Sequence, residues 1–272
     1  MLTNKIITFI GGGNMTKALL KGLVDSGVSV EKIRICEPDK EKQALLSAQF
    51  GVTVGAAGTG KLVKGADVVI LAVKPGVIPF ALQQISKRLA PKSLILSIAA
   101  GVSLKTLSEL LPEGQPLVRV MPNTPALIGA GISVICGAQS SAGEGVALAR
   151  QIMAAVGDVE EIADESLMDG VTAVSGSGPA YVYLIAEALS DGGVHCGLPR
   201  PLADKLAVKT LIGAARLIDE SGEHPGVLKN QVTSPGGTTI AAMAQLERSA
   251  VRGALIDAVI AACDRSKALS NT

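Results

Sequence analysis

The first 160 residues or so switch repeatedly between short apolar runs and stretches of helical character, and this alternation restricts the chain to few folds. "KIITFI" (5–10), "KIRIC" (32–36), "ADVVILAV" (66–73), "SLILSI" (93–98), "PLVRVM" (116–121) and "GISVIC" (131–136) predict strands. Most of them are continuously apolar, where a half-exposed strand would alternate, so both faces of the sheet must be covered. Helices are predicted between them at 13–26, 38–49, 75–89, 103–110 and 142–155. Strand–helix alternation of this kind implies a doubly wound, Rossmann-like α/β domain.

After "GDVEEIADES" the strand pattern stops, and helices are predicted at about 165–173, 178–195, 200–221, 224–230, 235–247 and 249–268. "SGSGP", "CGLPRP", "SGEHPG" and "TSPGG" punctuate them. The boundary is placed at Ile162–Ala163. It divides a Rossmann-like α/β domain, 1–162, from an all-helical domain, 163–272. Apolar positions fall on more than one face of the later helices, the pattern of buried helices or of a symmetric subunit interface.

Composition narrows the functional classes. Hydrophobic residues make up 48% of the 272 and charged residues 18%, which argues for an ordered core. A formal net charge of +1 provides no basic field for nucleic acid. Three phenylalanines, two tyrosines and no tryptophan make poor stacking platforms for bases. Cys36, Cys136, Cys196 and Cys263 form no C-x-x-C pair, and His195 and His224 are the only histidines, so no metal site is expected. The N-terminus lacks the pattern of a signal peptide, and the apolar windows are broken before roughly 18 residues. A cytoplasmic protein with reduced thiols, a small-molecule substrate, and neither nucleic-acid nor membrane partner is expected.

"FIGGGNMTKAL" follows the first strand directly. Gly11 and Gly13 fit the first two positions of G-x-G-x-x-G, where one permits a tight turn and the other lets a pyrophosphate reach the next helix. The third position is Thr16, which predicts slightly looser helix–strand packing. Glu37, at the end of the second strand in "ICEPDKEK", is placed to accept from a ribose 2′-OH and to repel a 2′-phosphate. Lys40 and Lys42 can offset that repulsion, and an ordinary solvated loop would also carry such charges, so the cofactor preference stays open. Val73, Lys74 and Pro75 in "AVKPGV", and Asn123 and Thr124 in "MPNTPA", follow further strands on the side where open α/β sheets bind ligands.

In "VTSPGGTTIAAM" (232–243), Ser234 is a candidate helix cap, Pro235 suits the first turn, and the glycines remove Cβ atoms near a ligand. A helix N-terminus, with unpaired N–H groups and a partial positive charge, suits a small carboxylate. A helix with glycines for close packing explains the same residues.

Together "FIGGGNM", "AVKP", "SIAAGV", "RVMPNTPA", "TAVSGSGPAYVY" and "HPGVLKNQVTSPGGTTIAAM" resemble the pyrroline-5-carboxylate reductases, in order and over nearly the whole chain. The resemblance implies NADPH- or NADH-dependent reduction of the cyclic imine 1-pyrroline-5-carboxylate to L-proline, the last step of proline biosynthesis. It implies that Gly11, Gly12, Gly13, Asn14 and Met15 line the dinucleotide turn. Val73, Lys74 and Pro75, with Asn123 and Thr124, then flank the ribose and nicotinamide side, and Ala99, Ala100 and Gly101 lie near the bound cofactor. It assigns Ser234, Pro235, Gly236, Gly237, Thr238 and Thr239 to the substrate carboxylate, Ser175 to the floor opposite, and the Thr239 hydroxyl to the imine nitrogen. It also implies homodimers with interleaved C-terminal helices, often built into decamers of five dimers. The departures are Thr16, where relatives usually carry Ala, and Glu37, where NADPH users tend to have a neutral or basic residue.

An iminium already carries its proton, so hydride addition needs no strong general acid, which fits a chain without a His–carboxylate pair. Two alternatives remain at this point. A β-hydroxyacid dehydrogenase-like reductase would carry a catalytic Lys in "GPAYVYLIAEALSDGG", which has none. A non-catalytic dinucleotide-binding redox sensor would not need an intact "SPGGTT". Glu165, Asp169 and Thr172 share a helix face, with a solvated or interface role expected.

Overall fold

The predicted runs fold into strands within a sheet of eight: β1 (Ile7–Ile10), β2 (Ile33–Cys36), β3 (Thr53–Gly55), β4 (Val68–Leu71), β5 (Leu94–Ser97), β6 (Leu117–Met121), β7 (Gly131–Gly137) and β8 (Gly157–Glu161). A computed structural model describes residues 2–56, 60–141 and 143–270 of the chain. β3 and β8 are additions to the sequence reading. Both lie at sheet edges, one only three residues long and the other "GDVEE", so neither presents a continuous apolar run.

The spatial order is β3-β2-β1-β4-β5-β6-β7-β8. Every ladder is parallel except β6 with β7. Chain order reverses at β1, which pairs with β2 on one side and β4 on the other, and this switch point is where open α/β sheets bind ligands. Alternate strand residues feed two cores. Val68 and Ile70 join one with Ile7, Phe9 and Leu19; Val69 and Leu71 join the other with Ile78, Leu82 and Leu107.

The covering helices of this region are α1 (Asn14–Asp25), α2 (Lys40–Phe50), α3 (Ile78–Ile85), α4 (Leu104–Glu109) and α5 (Glu144–Met153). The helix predicted over 75–89 is divided, with 3₁₀ turns at Pro75–Val77 and Ser86–Arg88 flanking α3. Ala142, where a helix was expected to begin, lies outside the described residues. Thr16 corrects the expectation of loose packing. It is fully buried, and its hydroxyl donates to the Gly11 carbonyl at 2.8 Å, so it ties α1 to the glycine turn.

Gly22 of α1 packs so closely that a Cβ there would lie 2.2 Å from the Ala155 carbonyl oxygen. Gly22→Ala is therefore expected to destabilise the fold by about 1–3 kcal/mol, since the obstacle is backbone. A melting temperature unchanged by this substitution would contradict the packing of α1.

The helical half begins with α6 (Met168–Val171), which passes through a π-helical turn (Thr172–Gly176) into α7 (Gly178–His195). Then follow α8 (Arg200–Ser221), α9 (Pro225–Gln231), α10 (Thr238–Arg248) and α11 (Val251–Ser270). α8 ends where Gly222 turns left-handed at φ 63°, and the ring Nδ1 of His224 accepts from Gly226 N–H to cap α9. His224 is thus structural, and His195 is exposed in the last turn of α7.

The chain forms two compact units. The first runs up to Ser177 and takes back the chain from Ala262; the second is Gly178–Ala261. Residues 163–177 stay with the sheet because Met168 packs against Val134 and Cys136, and Asp169 accepts from the Ser266 hydroxyl at 2.6 Å. In the second unit α7 and α8 are joined by the buried Ser190, which is hydrogen-bonded to Asp204 and Arg200. This unit leaves Tyr183, Leu184, Ile212, Ile256 and Ile260 exposed on the single chain. No helix among the described residues is long and apolar enough to cross a membrane.

Candidate active site

In the first unit the C-terminal ends of the parallel strands collect the predicted cofactor residues. Gly11 leaves β1 at φ 104°, and a Cβ there would stand 2.6 Å from the Ala72 carbonyl oxygen and 2.9 Å from Val73. The glycine turn therefore lies directly against the "AVKP" segment. Gly13 differs: it is exposed, extended, and nothing stands within 4 Å of where its Cβ would be. It is also the N-cap of α1 with no side-chain cap, so the helix presents its first N–H groups to open space. These two features fit a pyrophosphate. Asn14 is exposed beside this opening and Met15 is half-buried.

Glu37 is held tightly. It is 6% exposed, and its Oε2 accepts from Gly12 N–H at 2.8 Å and its Oε1 from Asp39 N–H at 3.1 Å. A Cβ on Gly12 would lie 2.9 Å from that Oε2 and 2.5 Å from Leu46, so glycine there is what admits the carboxylate. This role of Gly12 was not legible from the motif. Burial pushes the neighbouring Cys36 thiol up to about 11, so it stays neutral at physiological pH.

Around this turn, Val73 is half-buried, and Lys74 and Pro75 are exposed at the start of the 3₁₀ turn. Ala99 is buried and Gly101 turns at φ 72° after β5; Ala100 between them is half-buried. Asn123 is half-buried after β6, and its side-chain oxygen accepts from Ile132 N–H at 3.0 Å. Part of its carboxamide is thus engaged in holding β7. Ser175 joins this cluster through the chain: a Cβ on the adjacent Gly176 would lie 2.3 Å from the Met121 methyl at the end of β6. The Ser175 hydroxyl donates to the Val171 carbonyl at 2.9 Å within the π-helical turn, a feature frequent at functional sites.

Glu165 does not belong to a solvated face. Its Oε1 accepts from Arg119, which is 5% exposed, and from Leu104 N–H, both at 2.7 Å. A buried guanidinium needs this counter-charge, so the residue braces β6 against the start of α4.

The second unit carries the other predicted cluster, and the details differ from expectation. Ser234 does not cap a helix and Pro235 does not lie in a first turn. Ser234-Pro-Gly-Gly237 forms a β-turn in which Gly237 N–H donates to Ser234 O at 3.1 Å and Gly236 has φ 70°, the type II arrangement. The proline must precede the helix because it supplies the turn's second position. A Cβ on Gly237 would stand 2.5 Å from Ser234 Oγ, so a larger residue would require that hydroxyl to rotate away. α10 then starts at Thr238 with Gly237 as an N-cap that provides no side-chain bond. An open helix N-terminus with the half-buried Thr239 in its first turn is what this segment presents.

A glycine turn opening an uncapped helix at the switch point of a mostly parallel sheet, with an acid closing the next strand, defines a dinucleotide-binding domain. Accordingly, residues 6–101 match the family described as NADP oxidoreductase, coenzyme F420-dependent, and residues 165–269 match pyrroline-5-carboxylate reductase dimerisation. A pyrroline-5-carboxylate reductase of Arabidopsis thaliana is 42% identical over 98% of this chain and 96% of its own length. The solved pyrroline-5-carboxylate reductase of Coxiella burnetii superposes with TM-score 0.90 at 36% identity, covering 98% of this chain and 99% of that one. That of Plasmodium falciparum, with NADP bound, gives 0.89 at 32% identity, covering 98% and 99%. The chain belongs to the pyrroline-5-carboxylate reductase family and is an NAD(P)-dependent oxidoreductase. These matches favour that reading over both the sensor and the β-hydroxyacid dehydrogenase-like alternative.

Proposed function

We propose that this chain reduces 1-pyrroline-5-carboxylate to L-proline, with the uncapped N-terminus of α10 as the carboxylate site. The observation that carries the substrate side is that helix start, preceded by a rigid Ser-Pro-Gly-Gly turn and followed by Thr239. Unpaired N–H groups and the positive end of the helix attract a small carboxylate. The Thr239 hydroxyl hydrogen-bonds and orients the ring nitrogen, with Ser234, Pro235, Gly236, Gly237 and Thr238 shaping the cradle and Ser175 a further substrate residue.

In the first unit, the α1 N-terminus with Gly11, Gly13, Asn14 and Met15 holds the pyrophosphate, and Glu37 takes the adenine-side ribose. Val73, Lys74, Pro75, Ala99, Ala100, Gly101 and Asn123 border the nicotinamide side. When bound, NADH or NADPH supplies the hydride. An iminium brings its own proton and an electrophilic carbon, so the residues mainly align the ring and exclude water. The product amine keeps the nitrogen's proton, and the C=N π pair becomes its lone pair.

In this reading residues 1–162 serve the cofactor and 163–272 serve substrate and assembly. The exposed apolar side chains of the helical unit pair in a homodimer, built further into a decamer of five dimers, in the cytoplasm. Comparison of substrates tests the carboxylate site. Plain 1-pyrroline, which has the ring imine but no carboxylate, is expected to react with kcat/KM at least about 100-fold below that of 1-pyrroline-5-carboxylate, as loss of two charge-assisted hydrogen bonds would give. Equal efficiency would remove α10 from the substrate site.

A further inference from the structure

The reaction leaves open which reduced dinucleotide the chain selects, and the turn between β2 and α2 carries the answer. Glu37 is fixed by four hydrogen bonds. Besides the two bonds to its carboxylate, its own N–H donates to the Gly55 carbonyl at 3.0 Å, and Gln43 Nε2 donates to its carbonyl at 2.6 Å. With 6% exposure, the side chain has little freedom to swing away. An ionised carboxylate is an acceptor with about four lone-pair sites. Gly12 and Asp39 N–H groups use two of them, leaving room for the two hydroxyls of a ribose diol. A 2′-phosphate brings only acceptors and a further −1.5 to −2 charges or so.

The second observation concerns the end of α2. A helix N-terminus beside the ribose is the ordinary place to receive a 2′-phosphate. Here Asp39 closes it: its Oδ1 accepts from Glu41 N–H at 2.9 Å and from Lys42 N–H at 3.2 Å. The positive end of the helix is satisfied by the chain's own carboxylate. Lys40 and Lys42 are exposed, and among the described residues neither forms an ion pair with Glu37 or Asp39. Two fixed anions thus face the position, while the nearby cations are solvated and screened.

We propose that this enzyme selects NADH over NADPH, with Glu37 as the specificity-determining residue and Gly12 and Asp39 as its positioning residues. The inference rests on the placement of the cofactor ribose at Glu37 proposed above. Equilibrium dissociation constants for NADH and NADPH, read from nicotinamide fluorescence without substrate, test it in the wild type, Glu37→Gln and Gly13→Val. The wild type should bind NADH at least about tenfold more tightly than NADPH, as a fixed like charge a few ångströms away requires. Glu37→Gln retains the acceptor for Gly12 N–H and should bring the ratio near one, chiefly by tightening NADPH. Asp39→Asn, which keeps the cap, should move the ratio in the same direction by less.

Three outcomes overturn the proposal. Wild type that binds NADPH as tightly as NADH ends it. If Gly13→Val loses both cofactors while Glu37→Gln leaves the ratio unchanged, the selectivity fails and the cofactor placement stands. If Gly13→Val changes neither constant, the placement itself is wrong and the selectivity falls with it.

Discussion

Gly13→Val is expected to raise the dissociation constants of both NADH and NADPH at least about 100-fold while leaving the fold nearly unchanged. The two halves of this expectation come from one observation. Nothing lies within 4 Å of the position its Cβ would take, and its backbone is extended, so a β-carbon there has room and strains no backbone. Losing glycine as an N-cap costs about 1 kcal/mol. The same side chain would stand before the open N–H groups of α1, where a pyrophosphate must approach. Two charge-assisted hydrogen bonds at about 1.5 kcal/mol or more each account for the factor of 100. Calorimetric titration with each cofactor, beside a thermal melt, separates the effects. A melt that collapses would mean that Gly13 packs against the protein, and an unchanged affinity would move the cofactor elsewhere.

Thr239→Val should lower kcat/KM for 1-pyrroline-5-carboxylate by about 10- to 100-fold and leave cofactor affinity unchanged. Valine keeps the shape of the half-buried side chain and removes only the hydroxyl. A hydrogen bond to a charged partner contributes about 1.5–3 kcal/mol, and each 1.4 kcal/mol is about tenfold. Thr239→Ser should restore most of the loss, because it returns the hydroxyl. Steady-state kinetics together with cofactor titration reads both quantities. Equal damage to NADH binding would place Thr239 outside the substrate site.

The central strands were legible because they are covered on both faces, and continuous runs such as "VVIL" need no partner to be recognised. β3 and β8 were hidden for the opposite reason: an edge strand such as "GDVEE" faces water and carries charge. The glycine turn and the acid after β2 were visible as separate features. Their union was not, since only the fold brings Gly12 N–H onto Glu37 Oε2 across 25 residues of chain. "SPGGTT" stood out as a glycine-rich helix mouth, yet its local chemistry was misread. The same residues that suit a cap and first turn also suit a type II turn, and the positive φ of Gly236 decides between them. Glu165 was read as solvated or at an interface because a sequence does not reveal that Arg119, inside an apolar strand, needs a counter-charge from 46 residues away.

The most direct test is the oxidation of NADH and NADPH, followed by absorbance, when purified protein meets 1-pyrroline-5-carboxylate, with L-proline measured at the end. One L-proline should appear for each reduced cofactor consumed, and faster with NADH at equal subsaturating concentrations. Folded protein that binds a dinucleotide yet consumes neither cofactor and makes no L-proline would contradict the assignment.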